Sequence, residues 1–356
     1  MDRGLLCLCR AGFEPELAAE LSERAALAGH PGHARTTRGS GLVEFFPADG
    51  DAAALDAALP FRDLVFARQK LLRLAELREL DGSDRIGPLL RVLDGLAAAG
   101  GLPLLGELWV EHADSDEGRP LAGLARSFGN ALRPALRKAG RLARRDDPRL
   151  PRLHVVLLGG RHLLLGSSRA DDSAPWPLGI PRLRMHPDAP SRSALKLEEA
   201  LLVLLGPGDR ERLLREGMQG ADLGAAPGGW SWVLARHGVT VTAVDNGPMR
   251  EELLAAGRVR HVREDGFRWQ PRKKLDWMVC DMVEQPRRVA ARMGEWFAND
   301  WCRRAVFNLK LPMKKRWDET RLCLDLFAEG AGRPLRVRAR QLYHDREEIT
   351  VYADGG

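Results

Sequence analysis

Apolar residues along the chain alternate between two spacings, one typical of strands and one typical of helices. Short apolar or alternating runs predict strands, and apolar residues that recur every three or four positions predict amphipathic helices. In the first part of the chain the predicted elements are a strand at residues 5–9, a helix at 14–28, a strand at 41–46, a helix at 51–59 and a strand at 64–72. Their β-α-β-α-β order predicts a compact ferredoxin-like module over residues 1–75.

A second set of elements predicts another α+β module over residues 76–170. It consists of a helix at 86–98, a strand at 106–111, a helix at 121–145 and strands at 153–158 and 162–166. Residues 173–190 then contain five prolines, which interrupt regular structure. We therefore predict a linker at 171–190, and we place the main domain boundary there.

The helix predicted at 121–145 carries arginines at spacings of seven and four, which place them on one face: Arg126, Arg133, Arg137 and Arg141. Such a row is suited to following an RNA phosphate backbone, although the solvated face of an arginine-rich protein explains it equally well. Together with a polar loop at 112–116 and a glycine turn at 159–161, the module resembles a THUMP domain, an RNA-binding module fused to RNA-modifying enzymes. The resemblance implies that these four arginines contact RNA.

A strand, a glycine-rich loop, a helix and a second strand follow one another between Asp222 and Asp245. Gly224, Gly228 and Gly229 let the backbone turn sharply and approach a ligand closely, because they carry no Cβ. Asp245 ends the second strand, where a carboxylate can accept hydrogen bonds from ribose hydroxyls. This order predicts a nucleoside-binding α/β domain over residues 191–356, with a plain glycine turn as the alternative.

The loop favours S-adenosyl-L-methionine over NAD. The pyrophosphate of NAD is usually bound by G-x-G-x-x-G at a helix N-terminus, whereas here the glycines are spaced G-x-x-x-G-G and Pro227 offers no N–H. Asp265 follows a predicted strand at 258–262, and an acidic turn is the alternative explanation for it. The predicted cofactor contacts are Ser193, Ala226, Pro227, Gly228, Gly229, Asp245, Asp265 and Asp281.

Charge composition draws attention to two lysines. The chain of 356 residues has 55 basic and 49 acidic residues, a net charge of +6, which favours a polyanionic partner without excluding a role in solubility. Only eight of the basic residues are lysines. Lysine can lose its proton when it is buried or close to another cation, whereas arginine cannot. Lys196 and Lys310, both in apolar surroundings, are therefore candidates for acid–base chemistry.

The cysteines and the N-terminus predict an intracellular location. The five cysteines are odd in number and lack a C-x-x-C spacing, which predicts reduced thiols and no metal site. The start of the chain lacks a signal-peptide pattern, and no apolar run approaches the roughly 18 residues that a membrane helix needs. We expect a cytoplasmic protein with no membrane association and no obligate protein partner.

Two lysines and two carboxylates are predicted to meet beside the nucleoside. Lys196 lies in the first turns of a helix that follows serines, a strand at 275–281 ends at Asp281, and a strand at 304–310 ends at Lys310. The last strand, at 346–352, begins at a carboxylate and would run antiparallel, so its beginning lies at the same edge. Either Glu347 or Glu348 supplies that carboxylate, and Glu348 fits better because it directly precedes the apolar residues.

The order Lys196, Asp281, Lys310, Glu348 resembles the K-D-K-E tetrad of ribose 2′-O-methyltransferases. The stretches at 191–200, 222–230, 308–313 and 344–351 are similar to the bacterial RlmM family, which methylates a cytidine ribose in 23S ribosomal RNA. The resemblance implies a C-terminal Rossmann-like methyltransferase domain, S-adenosyl-L-methionine as cofactor, and 23S RNA or an early large-subunit assembly intermediate as partner. One departure is Ala226, where relatives can carry cysteine.

Methyl transfer to a ribose hydroxyl requires a base that removes its proton. We predict that Lys310 is this base, that Lys196 lowers its pKa by repulsion, and that Asp281 and Glu348 oppose this effect while orienting the lysines. A purely structural salt-bridge cluster is the alternative. Two other functions also stay open, an RNA-binding protein with an inactive methyltransferase fold and a NAD-dependent oxidoreductase.

Overall fold

The chain folds into two compact units, Met1–Pro181 and Arg182–Gly356, each built around a seven-stranded sheet. The computed structural model describes residues 3–206 and 208–356, so the first two residues of the predicted ferredoxin-like module lie outside the description. The division between the units falls inside the segment predicted as a linker. Among the described residues, no helix combines the length and apolar character needed to span a bilayer.

The first unit alternates short helices with strands. Its elements are β1 (Gly4–Leu8), α1 (Glu14–Leu27), β2 (Gly32–Thr36), β3 (Leu42–Pro47), α2 (Ala52–Ala58), β4 (Gln69–Leu77), α3 (Ile86–Ala98), β5 (Glu107–His112), α4 (Ala122–Lys138), β6 (Arg152–Gly159) and β7 (His162–Ser168).

One sheet runs through both modules that the sequence predicts in this unit. The strand order is β2-β3-β1-β4-β7-β6-β5, and the pairs are antiparallel except for β5 with β6. Strand β4 pairs with β1 on one side and with β7 on the other, and it continues to Leu77. The hydrogen bonds between strands therefore continue across residues 75 and 76. The division into functional modules at 1–75 and 76–170 stays a prediction.

Strand β2 was not predicted from the sequence. Its five residues, GHART, are mostly exposed and lack an alternating apolar face. The strand is fixed by pairing with β3, and Arg35 forms an ion pair with Glu44 of that strand at 2.9 Å. Periodicity detects a buried face, so an exposed edge strand escapes it.

Helix α4 is shorter than predicted. It ends at Lys138 rather than at residue 145, and Gly140 with φ 69° turns the chain away. Its buried face carries Leu132 and Leu136, which pack into the core of the unit. Consequently Arg141 lies beyond the helix and outside the predicted row on its face.

The second unit has the alternating order of a nucleotide-binding domain. Its elements are α5 (Ala194–Val203), α6 (Asp209–Leu213), β8 (Gln219–Leu223), α7 (Gly229–Arg236), β9 (Thr240–Val244), α8 (Glu251–Ala255), β10 (Val259–Val262), β11 (Leu275–Cys280), α9 (Pro286–Ala298), β12 (Cys302–Lys310), α10 (Arg316–Ala331), β13 (Arg336–Arg340) and β14 (Glu348–Asp354).

The strand order of the second sheet is β10-β9-β8-β11-β12-β14-β13. The five strands from β10 to β12 are parallel, and β14 runs antiparallel between β12 and β13. The predicted α/β Rossmann-like fold and the antiparallel last strand are confirmed. The strand order changes direction between β8 and β11, and ligands of such sheets bind at the carboxyl ends of the strands beside this point.

Candidate active site

Four charged side chains meet at the carboxyl edge of the second sheet. Lys310 is the last residue of β12 and lies directly opposite Glu348, the first residue of β14, in the antiparallel register. Asp281 follows the last residue of β11, and Lys196 lies in the first turn of α5. Because β11, β12 and β14 are neighbours, the predicted tetrad comes together as expected from the strand ends.

The tetrad forms a closed ring in which each lysine contacts both carboxylates. The Nζ atom of Lys196 lies 3.3 Å from Oδ2 of Asp281 and 2.5 Å from Oε1 of Glu348. The Nζ atom of Lys310 lies 2.6 Å from Oδ1 of Asp281 and also contacts Oε2 of Glu348. Glu348 is 4 % exposed, whereas Lys310 at 24 % still reaches solvent. A reactant can therefore approach Lys310 from outside.

Glu347 points to a different partner. Its Oε2 atom lies 2.5 Å from the Arg316 guanidinium, and its side chain is 44 % exposed. Glu348 therefore supplies the fourth member of the ring.

The sequence leaves the net pKa of Lys310 open, because Lys196 and the two carboxylates act on it in opposite directions, and in the structure this pKa is raised. Burial lowers the pKa of Lys310, but the negative charges of Asp281 and Glu348 and the hydrogen bonds to them outweigh burial and raise the pKa above its ordinary value. The sign follows from distance, because both carboxylates touch the Lys310 ammonium directly.

The glycines of the loop after β8 have no room for side chains. Gly224 and Gly228 have φ angles of 76° and 116°, a region that glycine adopts without strain. A Cβ at Gly224 would lie 2.6 Å from the Met282 side chain, and one at Gly229 would lie 2.6 Å from Oγ of Ser191. The loop is thus a bare-backbone cradle at the N-terminus of α7, which fits a nucleoside cofactor held by backbone groups.

Asp245 shapes this cradle from the end of β9. Its carboxylate accepts hydrogen bonds from the N–H groups of Ala226 at 2.9 Å and Gly247 at 2.7 Å. Each carboxylate oxygen retains a further acceptor site, which suits a ribose hydroxyl. Asp265 follows β10, accepts a bond from Phe267 N–H at 2.8 Å and is 48 % exposed.

Ser193 joins the helix of Lys196 to the glycine loop. Ser193 directly precedes α5 but makes no side-chain capping bond to it. Its hydroxyl instead lies 2.6 Å from that of Ser191, and its carbonyl oxygen accepts a bond from the Trp230 indole at 3.0 Å. The start of α5 is therefore tied to the start of α7, close to the predicted cofactor contacts.

Asp222 is a buried carboxyl group beneath the same loop. It lies in β8, is 1 % exposed and accepts a hydrogen bond from the Ser231 hydroxyl at 2.7 Å. Burial raises the pKa of Asp222 to about 7, and the nearby charges of Asp281 and Asp245 act in the same direction, while the bonds from Ser231 oppose the shift.

Several buried polar residues around the tetrad were not identified from the sequence. Asn308 donates to Asp281, and Thr350 contacts both Asn308 and Asp345. Glu199 accepts bonds from the N–H groups of Tyr343 and His344. These residues lie on α5, β12, β14 and the segment before β14. A signal was available, because Asn308 is two residues from Lys310 and Thr350 two residues from Glu348, each on the same strand face.

Three of the arginines predicted to bind RNA have acidic partners. Arg133 and Arg137 share Asp146, at 3.2 and 2.9 Å, and Arg141 lies 2.7 Å from Asp94. Arg126 is exposed on α4. The RNA contacts of this group stay a prediction.

All five cysteines are buried thiols without a disulfide. Burial raises the pKa of Cys280 to about 12, so this thiol beside Asp281 is not a nucleophile at neutral pH. Within residues 3–206 and 208–356, no group of three His, Cys, Asp or Glu side chains could hold a metal ion.

Comparison with known sequences assigns the chain to a family. The description "RlmM ferredoxin-like domain" matches residues 1–71, "Ribosomal RNA large subunit methyltransferase M, N-terminal" matches 84–169, and "FtsJ-like methyltransferase" matches 189–298. Two relatives are named ribosomal RNA large subunit methyltransferase M. The protein from Xanthomonas campestris pv. campestris strain B100 is 65 % identical to this chain over 353 residues, which cover 99 % of both chains. The protein from Stenotrophomonas maltophilia strain R551-3 is 64 % identical over 350 residues, which cover 98 % of this chain and 96 % of the relative.

The chain belongs to the RlmM family. The resemblance seen in its motifs is confirmed over the whole length, and the protein is an S-adenosyl-L-methionine-dependent methyltransferase. This excludes the oxidoreductase and the inactive RNA-binding protein. A solved structure titled TrmN from Thermus thermophilus covers 99 % of this chain and 99 % of its own at 21 % identity and a TM-score of 0.34, too low to support any further conclusion.

Proposed function

We propose that this RlmM-family enzyme methylates the 2′-hydroxyl of a cytidine ribose in 23S ribosomal RNA, with Lys310 as the general base. The ring formed by Lys196, Asp281, Lys310 and Glu348 carries the proposal. It places an ammonium group, 24 % exposed, beside a loop suited to the methyl donor. Membership in a family named for ribosomal RNA methylation supports RNA as the substrate.

The residues of the glycine loop would hold the cofactor, together with Ser193, Asp245 and Asp265. The cofactor supplies an activated methyl group on a positively charged sulfur. Asp245 suits a ribose hydroxyl because its carboxylate is already fixed by two backbone N–H groups. Asp281 connects the two halves of the site, since it follows β11, the strand beside β8, and contacts both lysines.

Lys310 must be neutral when it accepts the proton of the hydroxyl. In the ring alone its pKa is raised, so the lysine is protonated at neutral pH. A further positive charge bound nearby lowers the pKa of Lys310, which couples formation of the base to occupation of the cofactor loop. Asp281 and Glu348 then hold the new ammonium ion by direct hydrogen bonds.

The surface beside the ring suits single-stranded RNA. Lys314 and Lys315 are exposed in the segment after β12 and would attract phosphates. Met313 and Val283, 74 % and 91 % exposed, lie in the segments after β12 and β11 and would contact bases. We place the reaction in the cytoplasm, with protein-free 23S RNA or an early large-subunit assembly intermediate as substrate.

The test uses tritiated S-adenosyl-L-methionine and large-subunit RNA from a strain that lacks the enzyme, offered protein-free and as precursor particles. We expect label in one 2′-O-methylcytidine, located by mass spectrometry, and a loss of about 10²- to 10⁴-fold in Lys310→Ala. Lys138→Ala, an exposed lysine of the first unit, is the matched control. Label that fails to enter a ribose, or full activity of Lys310→Ala, contradicts the proposal.

A further inference from the structure

Behind Asp281, three polar side chains extend from the tetrad into the interior of the second unit. Asn308, Thr350 and Asp345 are 0 %, 0 % and 1 % exposed. Asn308 Nδ2 lies 2.9 Å from Oδ1 of Asp281, Thr350 Oγ1 lies 2.7 Å from Oδ1 of Asn308, and Thr350 Oγ1 lies 3.0 and 3.2 Å from the two oxygens of Asp345. These contacts form one continuous row that starts at a tetrad member.

The sheet holds this row in place. Asn308 and Thr350 are partners in the antiparallel register of β12 and β14, two residues away from the pair Lys310 and Glu348. Side chains two residues apart on a strand point to the same face. The row therefore lies on the face that carries the tetrad.

Counting donors and acceptors fixes the direction of the hydrogen bonds. Asp281 contacts two ammonium groups, so it is an ionised carboxylate that only accepts. The amide group of Asn308 must therefore turn its NH₂ toward Asp281 and its oxygen toward Thr350. That oxygen needs a donor, and the single hydroxyl proton of Thr350 meets this need.

The remaining contact, between Thr350 and Asp345, then needs a proton from Asp345. We propose that Asp345 is a neutral carboxylic acid that starts a directed chain of hydrogen bonds through Thr350 and Asn308 to Asp281, and that this chain positions Asp281 and thereby Lys310. The three residues are positioning residues, because none of them touches the reacting atoms. The catalytic part of this inference rests on the proposed function, whereas the protonation of Asp345 does not.

The surroundings of Asp345 favour the neutral form. Burial raises its pKa well above the ordinary value, and the negative charges of Glu348 and Glu199 add to the effect, while the Leu342 N–H and Lys196 oppose it. The Leu342 N–H donates to Oδ2 of Asp345 at 2.9 Å. A carboxylic acid can accept this bond and donate its own proton to Thr350 at the same time.

The first test compares Thr350→Val with Thr350→Ser. Valine has nearly the shape of threonine but leaves the buried Asn308 oxygen without a donor, so we expect kcat to fall about tenfold to a hundredfold with the KM for RNA little changed. Serine retains the hydroxyl and should retain activity. In Thr350→Val the Asp281 carboxylate should be held less firmly against Lys310, so it raises the Lys310 pKa less than in the wild type. The pH–rate profile of this variant should therefore also move to lower pH.

Equal losses in the valine and serine variants, or a valine variant with wild-type kcat and pH profile, overturn the positioning role. A fully active Lys310→Ala would refute the proposed function. The Thr350 variants test only the positioning role, so the two results can be distinguished. Thermal melting of both Thr350 variants shows whether a loss of kcat accompanies unfolding.

The second test reads the proton itself and needs no activity. The infrared difference spectrum between wild type and Asp345→Asn at pH 7 should contain the stretch of a protonated carboxyl group. Asp222→Asn serves as a reference, because Asp222 is another buried acid of this unit with a raised pKa. A difference spectrum that contains only carboxylate bands shows that Asp345 is ionised and overturns the proposal.

Discussion

Lys310 and Glu348 lie directly opposite each other at the end of β12 and the beginning of β14, and the sheet register sets their contact. A carboxylate held by the backbone in this way raises the pKa of Lys310, the proposed general base. The same residue that orients Lys310 also keeps it protonated in the absence of ligands. We therefore expect the pH dependence of the enzyme to follow from this pair.

Replacing Glu348 by Gln should move the pH–rate profile to lower pH. The wild-type pKa of Lys310 is raised, so kcat/KM should still increase with pH through the alkaline range. Glutamine removes one of the two negative charges, which lowers the Lys310 pKa, while poorer orientation should reduce the maximal rate by about tenfold or more. Initial rates between pH 6 and 10 give both values. A profile that shifts to higher pH would exclude Lys310 as the titrating base.

The stability of Asp222→Asn relative to the wild type should increase as the pH rises. The pKa of Asp222 is about 7 in the folded chain against an ordinary value of 3.8, so its contribution to stability is complete below pH 4 and is lost as the pH rises through 7. The loss between pH 5.5 and 8 is about 2 kcal/mol. Asparagine still accepts the Ser231 bond and does not titrate. Denaturant unfolding of both proteins at the two pH values measures the difference between their free energies of unfolding. If this difference is the same at both pH values, Asp222 does not titrate between them.

Gly228→Ala should weaken cofactor binding. A side chain at this position would have φ 116° and would collide with Leu253, so the loop must move. We expect the S-adenosyl-L-methionine affinity measured by calorimetry to fall about tenfold or more, because such backbone strain costs about 1–3 kcal/mol. Gly123→Ala is the matched control, since that glycine lies in α4 with open space around it. Equal affinities of the two variants would place the cofactor away from this loop.

Met313→Ser and Lys314→Gln should weaken RNA binding in different ways. Loss of the Lys314 charge should reduce the slope of log affinity against log salt by about one. Loss of the Met313 side chain should weaken binding about fivefold to tenfold through lost apolar burial, with the salt slope unchanged. Leu27→Ser, at an 82 % exposed position in the first unit, is the control. Both changes are in exposed residues, so folding should be unaffected, and unchanged RNA affinity in both would show that RNA binds elsewhere.

Arg126→Gln should weaken RNA binding more than Arg137→Gln. Both arginines lie on α4, but Arg137 shares Asp146 with Arg133, whereas Arg126 lines a cleft against β5 with an exposed side chain. The negative charge of Asp146 offsets part of the positive charge of this arginine pair. Filter binding at several salt concentrations ranks the two variants, and a larger effect of Arg137→Gln would show that its ion pair opens on binding.

The sequence was sufficient to predict the tetrad but not its electrostatics. Asp281 and Lys310 were found because each ends an apolar strand, and parallel strands bring such ends to one edge. The sign of the Lys310 pKa shift depends on contacts below 3 Å, which no spacing in the sequence specifies. The spacing of Asn308 from Lys310 and of Thr350 from Glu348 was a usable signal, but the contact between Asn308 and Thr350 depends on the register between β12 and β14.

Features at the surface of the first unit were also beyond sequence patterns. Strand β2 has no apolar alternation and owes its conformation to its neighbour β3. The end of α4 at Lys138 was missed because arginines suit both a helix and the turn that follows it. Strand β2 therefore depends on a contact with residues distant in sequence, whereas α4 ends at a local turn formed by Gly140.

The position of β4 in the first sheet has a consequence for dissecting the protein. This strand is hydrogen-bonded to β1 on one edge and to β7 on the other. A fragment ending near residue 75 would leave the outer edge of β4 unpaired and free to pair with other chains. A fragment starting near residue 75 would lack β4, which covers the edge of β7. The two family modules of this unit, separable by sequence at residues 1–71 and 84–169, are thus expected to fold, unfold and resist proteolysis as one.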